Sequence, residues 1–305
     1  MRIGDLLNEA IFEISANKIR SGLTVLGIVI GIASVIVMVS VGQGAEFQIK
    51  KSIESLGSNV LTVMPGGTRV GAAFMGRGTA QTLKEGDVNF LRKIEGVVNV
   101  VPVTQRTLQI VAPNGNNTRT SIIGATPDIF SVREISIESG SIFNEKHLRN
   151  IAKVAVLGKN IANDLFGKEN PVGKTVRISG VNFKVILVAA PKGGVMGMVA
   201  DDMVFVPITT MQRVLARSDY LTLILIKGER KDLLPQIQQE ATLVLAQVHR
   251  VDPQNPDFAI ISQEDILSTL TQVTNTMTIF FGIDCFNFFN CWRNWDNEYD
   301  ANFSY

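Results

Sequence analysis

Cysteine is almost missing from this chain. Only Cys285 and Cys291 occur, both close to the carboxyl end, so neither disulfides nor a cysteine-based zinc site organise the main body. Histidine is equally scarce. His147 and His249 lie far apart with no ligand-spaced partner between them. An excess of either charge is missing too, with 29 basic and 28 acidic residues, and nothing points to nucleic acid or to acidic partners. No G-x-S-x-G nucleophile motif appears. These absences leave catalysis without an obvious address.

A nucleotide loop is also absent, despite "GKENPVGKT" at residues 167–175. The phosphate-binding pattern needs four residues between its first Gly and its Gly-Lys-Thr. Gly167 and Gly173 are separated by five, one of them Pro171, which offers no N–H to a phosphate. The segment follows helix-like "NIANDLF" and runs into "TVRISGVNFKVILV", the pattern of a strand pair. It reads as a turn before a strand.

Against these gaps stands one long apolar run. Ser21 to Ala45 contains no ionisable residue, and as a helix it would rise roughly 37 Å, enough to cross a hydrocarbon core of about 30 Å. "SVGQGA" mimics a signal cleavage site, but the run reads better as a retained membrane helix in a lipid bilayer. Before it, Ile3, Leu6, Leu7, Ala10, Ile11 and Ile14 share one helical face, the pattern of a surface-lying amphipathic helix over 1–20. Lys18 and Arg20 favour a cytoplasmic amino end, opposed by Lys50 and Lys51 on the other flank. Gly27 and Gly31 form a G-x-x-x-G pair, read equally well as a helix-packing seam or as chance spacing.

The remainder predicts an α+β extracytoplasmic domain. "NVLTVMP" reads as a strand, and "TLKEGDVNFLRKIEG" as a helix with Thr82 and Glu85 at capping-box spacing and Gly96 as its stop. "VVNVVPV" and "TLQIVAPNGNNTRTSIIGA" are strands, the latter turning at Asn114-Gly115. The order recurs in "LTLILIKG", "KDLLPQIQQEATLVLAQVHR" and "DFAIIS". Two β-α-β halves, 46–127 and 219–261, thus flank a mainly β insert, 128–218. Residues 66–78 read as a mobile loop, Asp201-Asp202 as a hairpin tip rather than a metal site, and Met196 and Met198 as packing or an adaptable contact surface. Ser262 caps a helix, 262–282, that becomes apolar as though entering a second span.

Four stretches in order, "NKIRSGLTVLGIVIGIASVIVMVSVGQGA", "LGSNVLTVMPGG", "VAVLGKNIANDLFGKENPVGKTVRI" and "KGGVMGMVADDMVFVPITTMQRVL", resemble the MacB/FtsX-type permease of ABC transporters. "SGSIFNE" departs from the family's Gly-Arg-Phe-like stretch. The resemblance implies a membrane protein with its amino end in the cytoplasm, a large extracytoplasmic domain, and three further spans. It implies no catalytic residue and no cofactor in this chain. Its partners would be a separate ABC ATPase subunit, a second permease chain and an outer adaptor. ATP binding would shift the permease helices and move the outer domains, driving export. A membrane-anchored binding or sensing module without energy coupling is the competing reading. A tethered hydrolase, the third, would depend on Asp201 or His147.

The tail, 283–305, fits neither a span nor that family. "IDCFNFFNCWRNWDNEYDANFSY" is aromatic-rich and acidic, and it holds both tryptophans. One base later, a permitted choice of synonymous codons turns it into an apolar string containing GGIGIMN, which resembles the family's second span. Codon choice supplies much of that apolarity. The glycines arising from Trp292 and Trp295 are forced, because TGG followed by an Arg or Asp codon must yield Gly. The expectation is a single-base frameshift at about Gly282–Asp284, natural or a sequencing error, and a permease truncated and uncoupled from ATP as written.

Overall fold

The computed structural model describes residues 18–54, 59–66, 69–70, 73–74, 81–191, 200–269, 271–274 and 276. Residues 18–48 and those from 268 onward belong to one compact unit, and 49–267 form the other. The amphipathic segment before Lys18, Met196, Met198 and the aromatic tail lie outside the described residues, as does most of the 66–78 loop. Within that loop Arg69–Val70 pairs with Ala73–Phe74 as a two-residue ladder.

In the first unit, helix α1, Lys18–Glu54, runs for 37 residues. Its stretch Val25–Gly44 is long and apolar enough to cross a membrane, and none of it is buried. The helix does not stop at Ala45. "EFQIKKSIE" holds neither Gly nor Pro and is rich in good helix formers, so the rise continues through Gly42 and Gly44 to Glu54. Ser34 Oγ donates back to the Gly31 carbonyl at 2.8 Å, a local bond typical of apolar helices. At Gly42 an added Cβ would meet Thr274 Cγ2 at 3.5 Å, while at Gly31 it would meet nothing within 4 Å.

The second unit is a mixed α/β domain on one twisted sheet. Its elements are β1 (Val60–Pro65), β2 (Arg69–Val70), β3 (Ala73–Phe74), α2 (Glu85–Leu91), β4 (Val97–Val111), β5 (Asn117–Ala125), α3 (Ile129–Val132) and β6 (Ile137–Gly140). Next come α4 (Glu145–Arg149), β7 (Val154–Leu157), α5 (Lys159–Phe166), β8 (Thr175–Ile178), β9 (Val181–Ala189), β10 (Met203–Pro207), α6 (Ile208–Thr210), β11 (Leu223–Gly228), α7 (Leu234–His249) and β12 (Phe258–Ser262). The main sheet is ordered β12-β1-β11-β4-β5-β10-β7-β9-β6, with β8 joining β4 and β9.

The first four strands of that order give the split β-α-β arrangement of ferredoxin-like folds. β1-α2-β4 and β11-α7-β12 interleave, all neighbours antiparallel. The apolar stripe of α7, Leu234, Ile237, Ala241, Leu245 and Ala246, is buried, each Leu or Ile contributing about 1.5–3 kcal/mol. Gly96 ends the α2 region at φ 82°, with Ile237 and Leu233 methyls 3.4 Å from where a Cβ would sit.

β4 is long enough to serve two neighbourhoods. Its first half pairs with β11, its second half with β5, and its end with β8. Beyond it β5 runs parallel to β10 and β7 parallel to β9. One buried cluster gathers Leu61, Val63, Leu91, Val103, Phe143, Phe205, Ile237 and Leu245. A second gathers Ile110, Ile122, Leu157, Leu165, Phe166, Ile178 and Phe183 around α5.

Candidate functional site

The chain enters and leaves the α/β unit on neighbouring strands. β1 begins at Val60, after the helix that ends at Glu54, and β12 ends at Ser262, directly before the helix over 263–269. Leu61 pairs with Ser262 in the antiparallel ladder. The two connections therefore depart from opposing positions at one end of one strand pair.

That entry end is fastened by local chemistry. Asp265 N–H donates to Ser262 Oγ at 3.0 Å, and Ser262 N–H donates to Asp265 Oδ2 at 2.9 Å, a reciprocal capping box. These bonds hold the Asp265 carboxyl below the usual aspartate range, the Ser262 N–H contributing most. Gln238 on α7 joins in, donating to the Ile260 carbonyl at 3.1 Å and to Asp265 at 3.4 Å. Asn59 turns the chain into β1 at φ 63° while its carbonyl accepts the Gly228 N–H at 2.9 Å. Asn59, Lys231, Gln238, Ser262 and Glu264 border a cavity of about 370 Å³ here.

The far end of the same pair is fastened by a histidine set between two carboxyl groups. His249, the last residue of α7, places Nδ1 at 2.9 and 3.0 Å from the two Asp257 oxygens and Nε2 at 3.3 Å from Asp87 Oδ2. The His249 and Asp87 side chains are buried, only 8 % and 7 % exposed. Asp257 also accepts on its carbonyl from Gly66 N–H at 2.6 Å and from Thr82 Oγ1 at 3.2 Å. Spacing along the chain offers His249 no partner; the fold supplies two. Thr82 and Glu85 do not form the α2 cap: the helix begins at Glu85 with Lys84 as its N-cap, whose N–H donates to Asp87 at 2.7 Å, while Thr82 donates to the Asp257 carbonyl.

The remaining candidates are structural. His147 Nδ1 accepts the Asn144 N–H at 3.1 Å and Asn144 Oδ1 accepts the His147 N–H at 3.3 Å, capping α4. Asp201 is buried in the turn Ala200–Asp202 that leads into β10 rather than exposed at a hairpin tip; Asp202 accepts from Asn160 Nδ2 at 2.8 Å. In "GKENPVGKT" Gly173 N–H is spent on the Val185 carbonyl at 2.8 Å, and Lys174 pairs with Glu169 at 2.5 Å above the Phe166 ring. Neither the amides nor the lysine are aimed at a phosphate. Among the described residues no group of three or more His, Cys, Asp or Glu is arranged to hold a metal ion.

This architecture has known counterparts. The profile of the MacB-like periplasmic core domain matches residues 21–244. The chain belongs to that family. The MacB-like match reaches from the apolar run well into α7, so that run and most of the α/β unit are matched together. Among relatives, the macrolide export ATP-binding/permease protein MacB of Chlorobium luteolum is 34 % identical over 277 residues, covering 90 % of this chain and 42 % of that protein. Its namesake in Syntrophobacter fumaroxidans is 36 % identical over 220 residues, covering 70 % of this chain and 31 % of that one. This MacB-like chain thus spans less than half the length of these relatives. Among solved structures, the periplasmic region of MacB from Actinobacillus actinomycetemcomitans superposes with a TM-score of 0.61 at 22 % identity, covering 73 % of this chain and 97 % of that one. The extracellular domain of the noncanonic ABC-type transporter YknZ from Gram-positive bacteria gives 0.55 at 18 % identity, covering 67 % and 100 %. Both share the fold.

Proposed function

We propose that this chain is the permease subunit of an ABC-type exporter, truncated and uncoupled as written, whose full-length form passes ATP-driven movement from a separate ATPase subunit through membrane helices to an extracytoplasmic domain. The observation that carries this reading is the pairing of Leu61 with Ser262. A shift of the segment entering β1 against the helix after β12 would load two strands paired in one ladder. The capping box and Gln238 then transmit it to the sheet and α7 without slack. The family membership supplies the transporter context, and the relatives' names couple ATP binding with permease action. Cargo of the macrolide kind, a second permease chain and an outer adaptor are parts of the same proposal. So is the division of the unit into a core, 46–127 with 219–261, and an insert, 128–218.

The test is efflux. With the reading frame restored near Gly282–Asp284, expression together with an ABC ATPase should raise macrolide resistance of a susceptible host severalfold, an ATPase disabled in its Walker lysine should remove that gain, and the chain as written should give none. Equal resistance with and without the active ATPase would leave only a binding module. Gly27 and Gly31 are proposed as a helix-packing seam. Gly31→Leu should reduce cross-linked pairs of the full chain in membranes, and unchanged pairing would dismiss the seam. The proposed change of frame near Gly282–Asp284 is tested by resequencing: an intact frame there, with no span-encoding frame downstream, would refute it.

A further inference from the structure

His249 takes no part in passing load from the membrane helices to the sheet, and its role is independent of whether the chain exports anything. The ring sits at the carbonyl end of α7, where a helix favours a cation. Among the described residues the charged groups shown facing it are Asp87, from α2, and Asp257, from the approach to β12. β12 itself adds only the edge of Phe258, with ring centroids 5.8 Å apart. A neutral imidazole has one N–H and one lone pair. Set between two carboxylates it must turn that lone pair toward one of them. The imidazolium presents a proton to both.

We propose that His249 is a proton-dependent latch at the far end of the β1–β12 pair. Protonated, it joins the start of α2, the end of α7 and the approach to β12 through one ring. When the proton leaves, two carboxylates remain across a neutral ring in a largely buried place, and their repulsion is no longer offset. Asp257 is the partner that can move, being 31 % exposed at its side chain against 7 % for Asp87. Its backbone carbonyl holds Gly66 N–H and Thr82 Oγ1, so a displacement that carries the Asp257 main chain with the carboxylate loosens both. The latch therefore opens toward alkaline pH, and it opens where β1 leaves the sheet.

Hydrogen–deuterium exchange of the full chain in lipid nanodiscs tests this. Protection factors, corrected for intrinsic rates, would be compared at about pH 6 and about pH 9. Peptides covering 60–66 and 257–262 should lose about tenfold in protection at the higher pH, the scale of one charge-assisted hydrogen bond, while a β4 peptide covering 97–103 holds steady. His249→Gln should abolish the difference, and Asp257→Asn, a milder change, should reduce it. His147→Gln, which alters the only other histidine, should leave it intact. Equal protection at both pH values in the unaltered chain overturns the latch. So does an unaltered pH response in His249→Gln or its loss in His147→Gln.

Discussion

The two ends of the β1–β12 pair are fastened by opposite means. At the entry end the main fastening is short-range in sequence: Ser262 and Asp265 satisfy each other across three residues. At the far end Asp87, His249 and Asp257 come from three elements and meet only because the fold is complete. A local cap forms and holds with its own helix. A buried ion cluster reports on the arrangement of everything around it. One end depends on its neighbours in sequence; the other depends on the completed fold.

The sharpest way to break this contrast is to remove the packing beneath the strand pair. Leu61 is fully buried and opposes Ser262; Leu61→Ala should cost about 3 kcal/mol by leaving a cavity, read as a lower melting temperature of the full chain in detergent. At the far end, a Cβ on Gly66 would lie 2.6 Å from the Asp257 carbonyl carbon and oxygen. Backbone cannot step aside as a side chain does, so Gly66→Ala should cost about 2 kcal/mol. It should also raise amide exchange of 257–262 without affecting the helix over 263–269. A uniform rise across both would erase the contrast.

At the entry end Ser262→Ala should cost about 1 kcal/mol and speed exchange of 263–269, leaving Gly66 protected. The smallest effect is acid dependence. Asp265 has a folded pKa below the ordinary 3.8, chiefly through the Ser262 N–H. A depressed carboxylate contributes its stability above the unfolded value and loses it as pH falls through the folded one. The penalty of Asp265→Ala, which removes the acceptor of the Ser262 N–H, should therefore be full above the ordinary aspartate range and fade as pH falls through the depressed folded value. Because Asp265 is mostly exposed, the fading is a few tenths of a kcal/mol.

The same contrast explains what could be read from sequence. Ser262 was legible as a cap because its partner lies three residues on. The turns at Asn114-Gly115 and Gly96 were legible because glycine at positive φ is itself a signal: φ is 89° and 82°. The strand pair after "GKENPVGKT" was legible from β-branched alternation, and Ser179-Gly180 closes it with both residues at positive φ. The ion cluster was not legible. Asp87, His249 and Asp257 share no spacing, and the β12-β1-β11-β4 order brings them together only after β4 to β11 have been passed. Thr82 misleads for the same reason: its true partner, Asp257, is 175 positions away. Asp201 looks like a loop residue because glycines precede it, yet the turn carries it inward beside β10. Helix α1 overruns its apolar run because nothing in "EFQIKKSIE" stops a helix.

Opposed positions such as Leu61 and Ser262 lie about 5 Å apart across an antiparallel ladder. A segment excised from 59 to 262 thus has its two loose ends side by side, where a short tether can close them or a host loop can receive them. Such a piece is transplantable: the outer portion can be exchanged between membrane anchors, by an engineer or by recombination, without re-routing the chain.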